Sequence, residues 1–439
     1  PVVRSIILGA SGGTIDLPSA SAIVLQTGPG KFQGGTLTKA GPGELRTYDI
    51  EHSFAKLIVT AGLYTGGHGS SAAYNTSFGA IPANPTADAI TIYGGASIRK
   101  AGNQNVALDP KQGITLTGTG TKTIRSYAGD VGSGTFELAS PISGTGPLEL
   151  PGPSDSGYAP IMVLSGQNTY SGGTIVRPGQ VYVVNAFAGS GTGSGGVNVT
   201  NATLGGEGTM GGPVLMQGGL LTPGYSYNTG ATPGTPVTKE IAKLVLTNGL
   251  DISRSSTNTW QLGALSTSNP GTDFDQVELT GGNLTLGGSS VLAVAFTNTA
   301  TAPDLAEPFW QQNRQWQVIK FGGGGSISGN FSTITGTNDI TAGRFITTVD
   351  AAGVNLVYTL PSAAAAVTNM TIGPGPGAGQ LTISHSGGSG NQFVLFRTFD
   401  IEKKPISTWD RVATNAVSPG SFTITIGSDP KAFYYIKAE

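Results

Sequence analysis

Asp273 and Asp275, two positions apart, are the pair in this sequence best placed for acid–base chemistry. In an extended segment both side chains point to one face. Their spacing is then of the order that glycoside hydrolysis asks of two carboxyl groups, roughly 5–10 Å. The plainer role is structural, with Asp273 capping the turn Pro270-Gly271-Thr272 and Asp275 opening a strand. Lyase chemistry asks for a Lys or Arg base beside an acidic, metal-binding cluster. Arg99-Lys100 and Asp109-Pro110-Lys111 are the nearest approach, and both read as solvated turn charges. His52, His68 and His385 are too scattered for a ligand spacing. Gly322–Gly325 is followed by no Gly-Lys-Ser/Thr, so it is no phosphate loop. The Gly-rich, Asp-bearing nonapeptide of calcium β-rolls is missing. Asn75, Asn198, Asn201, Asn283, Asn330 and Asn369 each begin an Asn-x-Ser/Thr sequon, mostly by coincidence in so Thr-rich a chain. No residue is assigned as catalytic, cofactor-binding or metal-ligating, and no cofactor is expected.

Composition narrows the class further. The 439 residues include 70 Gly, where ~7% is the ordinary share, and only 11% are charged, where ~25% is ordinary. A net charge of −2 leaves no phosphate-neutralising excess, which excludes a basic nucleic-acid binder. The absence of Cys excludes a disulfide scaffold. Glycine lacks the every-third-residue period of collagen. Hydrophobic content of 38% with near-zero net charge argues for a folded chain. No stretch of about 18 apolar residues is present, so no helical membrane span is expected. The segment Pro1-Val2-Val3-Arg4-Ser5 lacks both Met and the pattern of a signal peptide. The expectation is a secreted protein, extracellular or at the cell surface, with its leader removed.

The elements that must position these residues are short. Ala22–Leu25, Leu57–Thr60, Ala89–Tyr93, Gly113–Thr117, Val197–Val199, Lys243–Leu246 and Asn283–Leu286 are apolar or alternating runs between glycine-rich turn signals. Such runs read as strands. Ala302–Trp310 is the best helix candidate, weakened by Pro303 and Pro308. Turn signals recur every eight to twelve residues as far as about 360, with degenerate internal repetition. This predicts an all-β solenoid over residues 1–360. At roughly 20 residues per coil it would hold about 18 coils. After Leu360-Pro361-Ser362-Ala363 the composition changes. Strands are predicted at Gln380–His385, Gln392–Phe399, Arg411–Ala416, Ser421–Ile426 and Ala432–Ala438, giving residues 361–439 as a small antiparallel β-sandwich.

The run Leu164-Ser165-Gly166-Gln167-Asn168-Thr169-Tyr170-Ser171-Gly172-Gly173-Thr174 resembles the core of the autotransporter-associated β-strand repeat. Gly205-Gly206-Glu207-Gly208-Thr209, Gly219-Leu220-Leu221-Thr222-Pro223-Gly224, Phe274-Asp275-Gln276-Val277-Glu278-Leu279-Thr280-Gly281 and Ile327-Ser328-Gly329-Asn330-Phe331 are similar to its later landmarks. The resemblance covers about 142–358. It implies a right-handed parallel β-helix of secreted bacterial type, used in adhesion or display. The tail, through Ser407-Thr408-Trp409, Gly420-Ser421-Phe422 and Phe433-Tyr434-Tyr435-Ile436, resembles the immunoglobulin- or fibronectin III-like sandwich that often follows such regions. The family's C-terminal translocating barrel, with its alternating lipid-facing strands, is missing from this sequence.

A solenoid leaves unpaired strand edges at its ends. Val2, Val3, Ile6, Ile7 and Leu8 form an apolar strand at one of them. Two roles fit it: the first rung of its own helix, or a strand added to the edge of a neighbouring molecule. The second would join monomers head to tail into a filament. The function expected is therefore a non-enzymatic extracellular structural protein whose partner is itself. The alternatives are a carbohydrate-active enzyme on the same solenoid, or a monomeric adhesin that binds surface glycans or other cells.

Overall fold

The structure is a computed structural model. It describes every residue outside 1–3, 27–29, 48–49, 68–73, 103, 127–133, 151–159, 185–188, 229–235, 338–342, 361–365, 389–391, 404, 406–407 and 428–430. The chain divides into two compact units, Pro1–Leu360 and Pro361–Glu439. Both are built from strands, and the described residues contain two short 3-10 turns, Thr76–Phe78 and Pro308–Gln311. The helix expected over Ala302–Trp310 is replaced by the second of these. Pro308 lacks the N–H that an α-helix would use there, and Glu307 caps the turn by accepting from Phe309 N.

The first unit contains sheets of seven, eighteen and six strands whose pairings are predominantly parallel, an arrangement consistent with a β-helix or solenoid. In the largest sheet one path runs through twelve strands, from Ile23–Gln26 to Ile327–Ser328. The step between rungs is uneven. Val197 pairs with Val214, Glu44 with Leu63, Lys122 with Leu148, and Leu284 with Ile327. The coil thus varies between 17 and 43 residues and is longest at the late end. The 20-residue coil and the count of 18 expected from the sequence are both corrected. Turn signals mark corners, and the later coils have more of them per turn.

Parallel stacking places like residues above one another. Leu37, Leu57, Ile90, Ile114 and Ile142 occupy successive rungs and are fully buried. Each such side chain contributes about 1.5–3 kcal/mol relative to an exposed one. Glycine lies where coils touch. A Cβ on Gly172 would come within 2.1 Å of the Gly146 carbonyl carbon, and Gly34, at φ 92°, lies against the Leu8 carbonyl oxygen. The late coils close over an aromatic core in which Trp260, Trp310, Trp316 and Tyr358 are all buried.

In the second unit, Val367–Pro374, Gln380–Gly387 and Gly420–Thr425 form one antiparallel sheet. Asp410–Asn415, Phe393–Thr398 and Phe433–Ala438 form another. Ile383, Phe422 and Ile424 of the first sheet pack with Phe393, Leu395 and Ile436 of the second in one apolar cluster. The five strands expected here are present. The sixth, Val367–Pro374, is mostly exposed and carries little apolar alternation to announce it.

Candidate functional site

The candidate site is the amino-terminal edge of the first unit. Ile6–Leu8 pairs in parallel with Phe32–Gly34, and Gly13–Asp16 pairs with Leu37–Ala40 of the same long strand. Ile23–Gln26 pairs with Glu44–Thr47. Among the described residues, each of these three strands has a neighbour on one side only. Ile6, Ile7 and Leu8 are thus the outer rung of their own sheet, while Val2 and Val3 lie outside the described residues. Leu8 is buried, but Ile7 is 78% exposed and Ile23 52%, with Ile6 and Val24 also exposed. Strand alternation explains only part of this, because Ile6 and Ile7 point to opposite faces and neither is covered. The edge offers unpaired backbone groups together with apolar side chains, the combination that templates further strand pairing.

Phe32, directly under Ile6, begins a ring stack that anchors this edge. His52 lies between Phe32 and Phe54, with ring centroids 5.3 and 5.5 Å away. Its Nδ1 accepts from Phe32 N at 3.2 Å, so the neutral imidazole is the bonded form. Burial, with the nearby Lys31 charge, pulls its pKa down to about 4.

The repeat-like run turns out to be corner carpentry. Asn168 is buried, accepts from Ile142 N at 2.7 Å and donates to Gly191 O at 2.6 Å, so it ties three segments together. Tyr170 is buried and its hydroxyl bonds Thr174 Oγ1 at 2.6 Å.

The chemistry-bearing candidates disperse. Asp275 is fully buried; it accepts from Ala242 N at 2.9 Å and from Gln261 N at 3.1 Å. Burial raises its pKa well above the usual carboxylate range, against the pull of those two amides. Asp273 accepts from Asn269 Nδ2 at 2.8 Å within the turn. The two carboxyl groups therefore lie in separate surroundings, Asp275 serving two backbone amides and Asp273 a side-chain amide. Asp109 accepts from Lys111 N at 2.8 Å, a turn contact, but Asp109 is buried and is not the solvated charge expected. Arg99 and Lys100 are not turn charges: they lie in the strand Ser97–Lys100, and both are buried. Arg99 donates to Glu44 Oε1 at 2.5 Å, where Arg46 and Thr65 also converge. Lys100 is 0% exposed, and among the described residues no hydrogen-bond acceptor reaches its Nζ. Burial alone pushes its pKa down to about 7. Lys39 and Lys122, equally buried, donate instead to backbone carbonyls: Ala40, Gly41 and Ala61 for one, Gly118 and Gly120 for the other. A strand holding one Ile among Ser, Arg and Lys gives no apolar signal, so sequence reasoning missed it.

His385 is buried against Phe393 and Phe422 in the second unit, and His68 lies outside the described residues. Among the described residues no group of three His, Cys, Asp or Glu is placed to hold a metal ion, and no helix is long and apolar enough to cross a membrane. Asn75 of the first sequon is buried, and its side chain accepts from Ser77 N at 2.9 Å. No family model matches this chain, and no curated protein matches it.

Proposed function

We propose that this chain is a non-enzymatic structural protein of the cell exterior that polymerises head to tail through its amino-terminal sheet edge. The first unit in this reading is a right-handed parallel β-helix of the autotransporter-repeat type, and the second an antiparallel β-sandwich. One observation carries the proposal: a single parallel sheet has a free edge at both ends. Ile23–Gln26 lies at one end; Ile327–Ser328 and Thr333–Thr335 lie at the other, each with one partner among the described residues. Parallel strands have the same polarity at both edges, so a second copy can continue the sheet in the same direction. That contact is heterologous and does not close, which is the geometry of a filament. Exposed Ile6, Ile7, Ile23 and Val24 add apolar burial to the backbone pairing. The low charge of the chain removes most of the repulsion that would keep copies apart.

Electron microscopy of the purified full chain over a concentration series tests this. Filaments are expected, and deletion of residues 1–8 should abolish them. Dispersed monomers at high concentration, or unchanged filaments in the deletion variant, would overturn the proposal.

A further inference from the structure

The second unit carries a cleft of its own, apart from the amino-terminal sheet edge of the first unit. It lies on the sheet formed by Asp410–Asn415, Phe393–Thr398 and Phe433–Ala438 and has a volume of about 610 Å³. That is within the range of small-ligand sites. Phe396, on the central strand, sits in register with Arg411 on one side and Tyr435 on the other. Phe396 is buried and forms the floor, while Tyr435 is exposed. Trp409 comes from the segment that precedes Asp410 and forms another wall. Its indole N–H donates to Lys403 O at 2.7 Å, which holds the ring in place. Three aromatic rings thus surround one space.

The polar groups of the cleft are also gathered. Glu439 Oε1 pairs with Lys437 Nζ at 3.2 Å, and Oε2 with Arg411 at 3.6 Å. Of the charged side chains that line the cleft, two are cationic and one is a carboxylate. All three side chains are about a quarter to a half exposed, so they remain available to a ligand.

We propose that this cleft binds a saccharide bearing a carboxylate, such as a uronic acid unit in an acidic polysaccharide. A sugar ring has an apolar C–H face that packs on a flat aromatic ring, and an edge of hydroxyls. Tyr435 and Trp409 supply the flat surfaces. The Arg411 guanidinium supplies a planar fork that matches a carboxylate in bidentate fashion. Glu439 accepts from sugar hydroxyls, and Lys437 compensates its charge. A proline-rich peptide would also find aromatic rings here, but it would leave the Arg411 guanidinium without a matching anion. The inference does not depend on polymerisation.

The test is titration of the full-length chain with a uronic acid oligosaccharide, with its carboxyl-reduced neutral counterpart as the comparison. Tryptophan fluorescence is a direct readout, because Trp260, Trp310 and Trp316 are buried in the first unit and Trp409 is not. The acidic ligand is expected to bind at least tenfold more tightly than the neutral one. Arg411→Ala should erase that preference while retaining residual binding. Tyr435→Ala, an exposed change that spares the core, should weaken both ligands about tenfold. Equal affinity for the two saccharides, no binding of either, full binding by the Tyr435→Ala variant, or binding of a proline-rich peptide alone would each overturn the proposal.

Discussion

The two ends of the first unit are finished differently. At the carboxy-terminal end, Arg314–Phe321 stops the parallel stacking by pairing antiparallel with Gly353–Thr359, which in turn pairs with Arg344–Asp350. Under that hairpin Trp310 meets Phe309 and Tyr358 at 5.0 Å, with Trp316 at 5.9 Å. Among the described residues, the amino-terminal edge has no reversing hairpin, its Phe32–His52–Phe54 stack begins one rung inside, and Ile6, Ile7 and Ile23 are exposed. Closing an edge needs chain that turns back on itself and large side chains to fill the last coil. The late coils have both, and the outermost early strands are only three or four residues long. Among the described residues, the asymmetry gives the six-stranded sheet a built stop, while the largest sheet keeps open edges at Ile23–Gln26 and at Ile327–Ser328 and Thr333–Thr335.

The largest effect is expected from charging the open edge. Ile7→Lys with Val24→Lys places a like charge on each of two outer strands without touching a buried side chain. Sheet continuation would then bury both ammonium groups, at several kcal/mol each. Filaments should disappear in electron micrographs and in sedimentation, while the circular dichroism of the monomer stays unchanged. Filaments that persist would place the interface elsewhere.

Next in size is damage to the closed end. Trp310 is fully buried and touches Phe296, Phe309, Trp316, Phe345 and Tyr358. Trp310→Ala should cost about 3–5 kcal/mol through lost burial and the cavity left behind. Chemical denaturation would read this as a lower midpoint. A loss below about 1 kcal/mol would mean that the aromatic cluster does not close this end.

How much of this was legible in the sequence follows from what each feature costs locally. The strands over Thr86–Tyr93 and Gln112–Thr117 showed themselves because Ile90, Ile92, Ile114 and Leu116 alternate between glycine turns. The first unit's all-β, parallel character came from the same rhythm. The coil length did not, because a turn signal fixes a corner and says nothing about how many corners complete a coil. Ser97–Lys100 was invisible for a different reason: its burial is created by neighbouring rungs, and its own residues are polar. The apolar strand Ile6–Leu8 was legible as a strand, and only the register with Phe32–Gly34 shows which side of it is free.

Acid should act on the open end through His52. Its folded pKa lies near 4 because of burial and Lys31, against 6.5 in the unfolded chain. The unfolded chain takes up this proton near pH 6.5 and the folded chain only near 4, so stability is full above 6.5 and declines between those values. The loss reaches on the order of 3 kcal/mol at pH 4. Unfolding measured across this range should lose that part of its slope in His52→Asn, whose amide oxygen can still accept from Phe32 N. An unaltered slope would mean that His52 is protonated in the folded state and its bond to Phe32 N is not the one that matters.

The smallest effect is expected on the outer strand of the closing hairpin. Ile346 is partly exposed on Arg344–Asp350, a strand that begins with Arg and ends with Asp. Terminal charges of this kind discourage another chain from adding to an edge. Ile346→Lys should therefore change stability by less than about 0.5 kcal/mol, as surface substitutions usually do. It should leave the filaments intact, in contrast to the same change at Ile7. The pair of variants isolates position from chemistry, since an exposed isoleucine becomes a lysine in both. Equal loss of filaments in both would show that general surface hydrophobicity drives association and that the open edge has no special part in it.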